Sequence, residues 1–139
     1  MRIDTGSEFG GRAARRLGDE LVYWLVTVGS DGTPQPSPVW ALWDGETFVI
    51  YSRPDTPKLR NIASRPRVAL HLDGDGRGGD IVIVTGDARL AADAPAADRV
   101  AAYVTKYREA MRRIGMTPES FARAYSVAVR VTPAGLRGH

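Results

Sequence analysis

The sequence predicts a mainly β fold in which antiparallel strands close into a barrel or a strongly curled sheet, with helices inserted between strands. Six segments are rich in β-branched and aromatic residues and are joined mostly by short polar turns, a pattern typical of hairpins. The helical segments do not alternate with these strands one for one, as they would in a doubly wound α/β sheet. Closure of the sheet is favoured because it removes exposed strand edges.

The first half of the chain predicts a short helix, a meander of hairpins and a second helix. Residues 1–18 are expected to form an N-terminal extension or a short helix with Ser7 as its N-cap. After the meander, Thr56 is an N-cap residue type followed by Pro57 at the first helical position. The strands of the meander are predicted at residues 21–28, 35–43 and 47–52.

The second half predicts two strands around a polar loop, a helical insertion and a last strand. The loop at residues 73–80 is rich in glycine and aspartate and is expected to be mobile. Gly86 interrupts the next strand, as a bulge or a close backbone approach would. Residues 94–124 predict a helical insertion whose first helix packs along one side. The apolar seam of that helix consists of Val100, Val104, Tyr107, Met111 and Ile114. The strands are predicted at residues 67–72, 81–90 and 127–132, with a trailing tail at residues 133–139.

The composition describes an ordinary water-soluble globule. A chain of 139 residues is expected to form one domain, residues 1–139. It contains no cysteine, which excludes disulfides, thiolate metal sites, iron–sulfur clusters and cysteine nucleophiles. The N-terminal segment is polar and basic, and no apolar run is long enough to cross a bilayer. We therefore expect a cytoplasmic protein without a membrane span.

The positive charge is unevenly distributed along the chain. The net charge is +3, but the segment from Arg53 to Arg67 holds five basic residues and one acidic residue. This segment is a candidate anion site. A second basic group lies on the predicted helical insertion at spacings that favour a solvated surface. It consists of Arg99, Lys106, Arg108, Arg112 and Arg113.

No side-chain constellation for acid–base, nucleophilic or metal catalysis is predicted. A catalytic triad would have to rest on His71, since the other histidine is the last residue, and nothing near His71 indicates a nucleophile. The loop aspartates lack the bidentate glutamate of a calcium hand. The glycines of the same loop do not lie between a strand and a helix, so turn formation explains them better than dinucleotide binding does.

The strongest chemical signal lies between Tyr51 and Asn61. The hydroxyls of Ser52 and Thr56 can donate to phosphate oxygens, and the first amides of a helix starting at Thr56 carry partial positive charge. Lys58 and Arg60 are cations in the first turn of that helix. The alternative is that Thr56 only caps the helix and that the cations are solvated surface.

The segment before Trp40 predicts an incompletely paired strand. Three prolines within five residues, at positions 34, 36 and 38, remove ladder donors. The free carbonyls and the Ser37 hydroxyl are then available to the edge of a planar heteroaromatic ligand, with Val39 or Trp40 against its face. The alternative is an edge strand protected by proline, with the tryptophans as ordinary core.

Taken in order, these segments resemble the split β-barrel flavin-binding group typified by pyridoxamine phosphate oxidase. More narrowly, they are similar to the branch that uses the deazaflavin coenzyme F420. The resemblance covers roughly Leu17 to Gly138 and depends on the ordered set of motifs. The motifs are Trp-Leu-Val-Thr-Val (24–28), Asp-Gly-Thr-Pro-Gln-Pro-Ser-Pro-Val-Trp (31–40), Leu-Trp-Asp-Gly-Glu-Thr (42–47), Tyr-Ser (51–52), Thr-Pro-Lys-Leu-Arg-Asn-Ile (56–62), Arg-Pro-Arg-Val-Ala-Leu-His (65–71), Tyr-Arg (107–108), Ile-Gly-Met-Thr-Pro-Glu (114–119) and Tyr-Ser-Val (125–127).

The resemblance implies a six-stranded antiparallel split β-barrel and a homodimer with two cofactor sites at the subunit interface. Residues near Tyr125 and Arg130 are expected to reach the partner's cofactor. Arg53 stands where a neutral residue such as glutamine is expected, and it would add phosphate affinity or extend toward the polyglutamate tail of F420. The cofactor-binding residues implied are Pro36, Ser37, Pro38, Val39, Trp40, Tyr51, Ser52, Thr56, Lys58, Arg60 and Asn61.

The expected function is an F420-dependent reductase that passes hydride from the reduced deazaflavin to an electron-poor small organic acceptor. The cofactor supplies this chemistry, so the absence of a catalytic constellation fits. Two alternatives remain open: an FMN-binding oxidase or reductase of the same fold, and a non-catalytic F420 carrier or sensor. Nucleic-acid binding is disfavoured because the basic segment lacks interleaved aromatic residues and no recognition helix is evident.

Overall fold

The computed structural model describes all residues from Met1 to His139 and confirms a mainly β fold built on a curled antiparallel sheet. The strands are β1 (Tyr23–Val28), β2 (Pro34–Val39), β3 (Ala41–Trp43), β4 (Phe48–Ser52), β5 (Arg67–His71), β6 (Val82–Leu90) and β7 (Val127–Gly138). The helices are α1 (Glu8–Asp19), α2 (Pro57–Ser64), α3 (Ala101–Arg113) and α4 (Pro118–Ala124), with a 3₁₀ turn at Ala97–Arg99 before α3. None of these helices has both the length and the apolar character that a bilayer crossing requires.

The sheet curls because its two edges are neighbours in sequence. Its seven strands lie in the order β2-β1-β5-β6-β7-β4-β3, and every pair is antiparallel. The edge strands β2 and β3 are separated by Trp40 alone. One residue cannot bridge a flat sheet of this width, since strands lie about 4.8 Å apart. The two edges therefore meet at Trp40, and the sheet forms a split barrel.

The same corner explains why the structure has seven strands and the sequence predicted six. The predicted strand at residues 35–43 divides at Trp40, with its first part paired to β1 and its last part paired to β4. The prolines of β2 occupy alternate positions, whose backbone groups all point to the same side in an antiparallel strand. That side has no neighbouring strand, so β2 is an edge strand, as proline requires.

Strand β7 is longer than the sequence predicted. The segment expected to trail as a tail instead pairs with β6 as far as Gly138. The register shifts between Thr85 and Gly86, which confirms the predicted bulge. A Cβ on Gly86 would collide with the carbonyl oxygen of Thr132, so the two strands approach too closely there for any side chain.

The loop at residues 73–80, expected to be mobile, is contacted by side chains from three parts of the chain. Arg16 of α1 donates to the backbone carbonyls of Asp73 and Asp80 and forms an ion pair with the Asp80 carboxylate at 3.1 Å. Trp24 Nε1 donates to Asp73 Oδ1 at 3.0 Å, and the ring of His139 contacts the carbonyl oxygen of Gly78 at 2.9 Å. These contacts attach the loop to α1, β1 and the C-terminal residue, while residues 73–78 are exposed.

Strand β4 lies between two apolar clusters and is buried along its whole length. Phe48 and Ile50 face the cluster inside the barrel, which α1 and α2 cover. Val49 and Tyr51 face a second cluster, formed with α3 and α4. This alternation follows the period of two in a strand. Strand β4 ends at Ser52, shortly before α2 begins, and its outer face packs in the cluster that includes α4.

The helical insertion forms as predicted, but one of its basic residues does not lie on a solvated surface. Arg99, Arg108, Arg112 and Arg113 are exposed. Lys106 is half-buried, and its amine donates to the Tyr23 hydroxyl at 2.6 Å and to the carbonyl oxygen of Ala41 at 3.1 Å. Ile114, predicted to belong to the packed seam, is 52% exposed just after α3 ends.

Candidate functional site

A cavity of about 290 Å³ opens where the edge strand β2, the end of β4, the start of α2 and helix α4 come together. Most of its wall is apolar, and Lys58 supplies its one charged side chain. The lining residues are Val22, Pro38, Val39, Trp40, Tyr51, Ser52, Lys58, Ile114, Phe121 and Tyr125. Six of these are residues that the sequence predicted for cofactor binding.

Aromatic rings stacked nearly parallel form one side of the cavity. The ring of Trp40 lies 5.1 Å from that of Tyr107 and 5.5 Å from that of Phe121, with interplanar angles of 6° and 15°. Phe121 stacks in turn on Tyr125 at 4.4 Å and 14°. Trp40, Phe121 and Tyr125 line the cavity, so this side of it is aromatic and apolar, which suits the ring of a ligand.

Lys58 gives the cavity its positive charge. It follows Pro57, the residue with which α2 begins, so its side chain leaves the first turn of the helix. The side chain is half-buried, and burial lowers the pKa of its amine. The amine makes no hydrogen bond or ion pair within the chain. A cation that has lost solvent without gaining a partner favours the binding of an anion.

Two hydroxyl groups lie beside this cation. Ser52 is almost fully buried at the end of β4, and its Oγ donates to the carbonyl oxygen of Arg53 at 2.8 Å and lies 3.3 Å from Thr56 Oγ1. Thr56 is the N-cap of α2, but its side chain does not cap the helix amides. Because the Ser52 hydrogen is used in the bond to Arg53, the contact between the two hydroxyls is a donation from Thr56. In the first turn of α2, Pro57 has no N–H, and Leu59 and Arg60 donate to the carbonyl oxygen of Thr56. The backbone N–H of Lys58 is therefore the amide that remains free to donate to a ligand.

Two arginines hold the turn between β4 and α2. Arg60 Nη1 donates to the carbonyl oxygen of Asp55 at 2.9 Å, and Asp55 has a left-handed backbone with φ of 60°, which is unusual for a residue with a side chain. The guanidinium of Arg53 lies 4.6 Å from the ring centroid of Tyr125. This cation–π contact joins the turn to the end of α4.

The remaining predicted residues lie outside the cavity wall. Pro36 is exposed on β2, and Ser37 pairs with Leu25 of β1. Asn61 is buried, and its amide nitrogen donates to Thr27 and Gln35. Thr56, Arg60 and Asn61 thus surround the site, whereas Pro38, Val39, Trp40, Tyr51, Ser52 and Lys58 line it.

Three lining residues were not predicted, namely Val22, Ile114 and Phe121. They come from segments far apart in sequence, and each reads locally as a strand or helix residue of the core. Tyr125, expected to reach a partner's cofactor, lies in the cavity of its own chain. Arg130, expected to do the same, donates to Thr47 Oγ1 at 3.0 Å.

The histidines and acidic residues take no part in this cavity. His71 lies half-buried in β5 with Nδ1 3.2 Å from the carbonyl oxygen of Leu72. No three histidine, aspartate or glutamate side chains are grouped closely enough to hold a metal ion. The chemistry that the cavity offers is therefore the binding and orientation of a planar, anionic molecule.

Comparison with known proteins bears on this site. The family model described as pyridoxamine 5′-phosphate oxidase matches residues 11–139. A solved F420 reductase is 24% identical, covering 88% of this chain and 94% of its own, with a TM-score of 0.66. A conserved hypothetical protein from Mycobacterium tuberculosis is 25% identical, covering 94% and 82%, with a TM-score of 0.70. HutZ, the heme storage protein from Vibrio cholerae, is 15% identical, covering 99% and 95%, with a TM-score of 0.61. No curated protein matches the chain.

Proposed function

Because this chain belongs to the pyridoxamine 5′-phosphate oxidase family, we propose that its cavity binds coenzyme F420 and that the protein is an F420-dependent reductase. The reduced deazaflavin would pass a hydride to an electron-poor small organic acceptor. The observation that carries the proposal is the unpartnered, half-buried amine of Lys58 in a cavity that is otherwise lined mainly by aromatic and other apolar side chains. A flavin-type cofactor has the two matching parts, a phosphate and a planar ring.

Lys58, Ser52 and Thr56 fit the phosphate end of such a cofactor. The amine brings a positive charge with no competing acceptor, and the two hydroxyls, 3.3 Å apart, lie at the N-terminus of α2. Hydrogen bonds to charged groups contribute about 1.5–3 kcal/mol each. The Lys58 amine is free in the ligand-free chain, and the two hydroxyls would have to turn from their internal acceptors to the phosphate. With that rotation, three such donors together are sufficient for binding in the micromolar range.

The edge strand β2 fits the ring end. Backbone groups at alternate positions of an antiparallel strand point to the same side, so the carbonyls of Pro36 and Pro38 face away from β1. They are acceptors that no neighbouring strand uses, and a heteroaromatic ring with N–H groups can donate to them. Val39 and Trp40 then lie against the ring.

The chain's own residues would bind and orient the ring and keep water from it, since the cofactor supplies the hydride chemistry when bound. No carboxylate or histidine side chain lines the cavity. Orientation of the ring against an acceptor is the contribution that the apolar wall makes.

The second candidate cofactor is FMN, and the Lys58 site is what favours it. A terminal phosphate carries more negative charge than the phosphodiester of F420, and the same amine and hydroxyls suit it. A non-catalytic carrier or sensor is the other candidate, since HutZ, a heme storage protein, has a similar fold. A cavity with Lys58 as its one charged group can bind a ligand without turnover.

A second copy of the chain is proposed to complete the site. A cavity of about 290 Å³ is at the low end of the range for small-molecule pockets, about 300–1,000 Å³, so a dinucleotide-sized or flavin-sized ligand would extend beyond it. Val22 and Ile114 line the cavity and are 38% and 52% exposed. A homodimer that covers these apolar side chains, in the cytoplasm, remains our proposal for the working form.

Titration of the purified protein with F420 and with FMN tests the proposal directly. We expect saturable binding of F420, followed by oxidation of reduced F420 when a quinone or nitroaromatic acceptor is added. Binding of FMN alone would replace F420 by FMN as the cofactor. Binding of F420 without turnover across a panel of acceptors would favour the carrier, and binding of neither would overturn the proposal.

A further inference from the structure

The side chain of Asn61 is fully engaged inside the protein. Asn61 lies in the second turn of α2 and is 7% exposed. Its Nδ2 donates to Thr27 Oγ1 at 3.0 Å and to Gln35 Oε1 at 2.9 Å. A side-chain amide nitrogen carries two hydrogens. Both are used in these bonds, so Asn61 has no donor left for a bound phosphate.

The two partners of Asn61 belong to neighbouring strands. Thr27 lies in β1 and is 1% exposed, while Gln35 lies in the edge strand β2. The Gln35 side chain crosses over Gly29, where a Cβ would lie 2.8 Å from its Nε2. Asn61 thereby joins helix α2 to the edge strand that pairs with β1 alone.

Each of the joined elements carries part of the cavity. Helix α2 supplies Lys58, which precedes Asn61 by one turn, and β2 supplies Pro38 and Val39. The other end of α2 is also tied to β1, because Arg65 Nε donates to the carbonyl oxygen of Val28 at 2.7 Å. The Asn61–Gln35 hydrogen bond is the side-chain link that reaches from α2 to β2 itself.

We propose that Asn61 is a positioning residue that acts through Gln35, holding β2 against α2 so that Lys58 and the strand edge face the same ligand. This assignment departs from the phosphate-ligand role that the family resemblance implies for Asn61. It rests on the proposed function for the nature of the ligand. It also implies that a change at Gln35, an exposed residue outside the cavity wall, alters the affinity for the ligand.

The experiment compares wild type, Asn61→Ala, Gln35→Met and the double variant in titrations with F420, FMN and riboflavin. Both single variants remove the Asn61–Gln35 hydrogen bond, and loss of that link predicts binding about fivefold weaker in each of them. The double variant is expected to bind no more weakly than Asn61→Ala, because both changes break the same link. Riboflavin, which lacks the phosphate, is expected to lose affinity by the same factor as FMN.

A control and a ligand-free measurement complete the test. Thr33→Ala changes another exposed residue next to β2 and should leave every affinity unchanged. If Asn61→Ala weakens FMN but not riboflavin, and Gln35→Met weakens neither, Asn61 is a phosphate ligand and the inference is wrong. If wild type binds none of the three, the proposed function fails, and hydrogen exchange then decides the inference. Faster exchange of the Ser37 and Val39 amides in both single variants supports it, and unchanged exchange overturns it.

Discussion

Among individual residues, Lys58 is the one that we propose recognises the anionic end of the ligand. Its amine is half-buried and unpaired in the ligand-free chain. We expect Lys58→Ala to weaken F420 or FMN binding by about 10-fold to 100-fold, the equivalent of one charge-assisted hydrogen bond. Because the amine has no partner to lose, the melting temperature should remain within about 2 °C of wild type.

Arg67 provides the matched control for that substitution. It belongs to the same basic segment, lies exposed on β5 and contacts Asp87 at 3.6 Å, away from the cavity. Arg67→Ala removes one positive charge and should change the affinity by less than about twofold, as expected for an exposed charge in physiological salt. Equal losses in the two variants, measured by titration, would show that general charge and not the Lys58 amine attracts the ligand.

Lys106 is a half-buried cation whose charged form is less stable in the folded chain than in water. Burial lowers the pKa of Lys106 to about 8, against weaker opposing effects of Asp19 and Glu20. In the unfolded chain the amine keeps its usual pKa near 10.5, so between these values the unfolded state binds more protons. The free energy of unfolding should therefore rise from about pH 8 toward pH 10. Above about pH 10 it should fall, because burial raises the pKa of Tyr103 and Tyr107 and only the unfolded tyrosines ionise.

Lys106→Met tests this linkage by urea unfolding at about pH 7 and about pH 9.5. The carbonyl oxygen of Ala41 keeps its hydrogen bond from Tyr107, and the Tyr23 hydroxyl keeps its bond to Leu17. The rise with pH that Lys106 contributes, on the order of 1 kcal/mol after screening by solvent, should be lost in the variant. The smaller rise that remains comes from Lys58, whose pKa burial also lowers. A variant that shows the same rise as wild type would mean that another group is responsible.

At the scale of elements, the close approach of β6 and β7 depends on Gly86. A Cβ at this position would meet the carbonyl oxygen of Thr132 and lie 3.0 Å from Pro133 Cα. Both are backbone atoms of a paired strand, so they cannot move aside without breaking the register. We expect Gly86→Ala to lower the free energy of unfolding by about 2–4 kcal/mol.

Gly18 in helix α1 provides the opposite control. A Cβ there meets nothing within 4 Å, and alanine is favoured over glycine in a helix by up to about 1 kcal/mol. Gly18→Ala should therefore stabilise the protein in the same urea titration. If Gly86→Ala is as harmless as Gly18→Ala, the bulge is not fixed by steric contact.

At the scale of the whole molecule, the sequence predicts local patterns well and long-range neighbours poorly. The bulge at Gly86 is readable because a glycine interrupts an otherwise regular strand. The division at Trp40 is not, because residues on both sides have strand character and the corner depends on which distant strands they join. The prediction that Lys106 lies on a solvated surface was wrong for a similar reason. Helical spacing shows on which face of α3 a residue lies, but it does not show a hydrogen-bond partner such as Tyr23, 83 positions away.

The candidate site divides in the same way. The proposed phosphate side and the proposed ring edge each lie on one continuous segment, which is why residue types and spacing point to them. The opposite wall comes from Val22, Ile114 and Phe121, which the fold of the whole chain brings together. The hydrogen bonds that tie down Asn61 are likewise tertiary. A motif therefore identifies the site but does not separate the residues that touch a ligand from those that hold them in place.

Completion of the site by a second copy is the prediction that belongs to the whole molecule. Val22 and Ile114 expose apolar side chains at the cavity, and covering them would be favourable by about 25 cal/mol for each Å² removed from water. Light scattering and sedimentation should give twice the mass of 15.1 kDa without any cofactor. Ile114→Glu should shift the protein toward monomer, because a buried, unpaired carboxylate is costly, and should weaken F420 binding in parallel. A wild-type protein that stays monomeric at millimolar concentration, or a monomeric variant that binds F420 with full affinity, would show that a single chain forms the complete site.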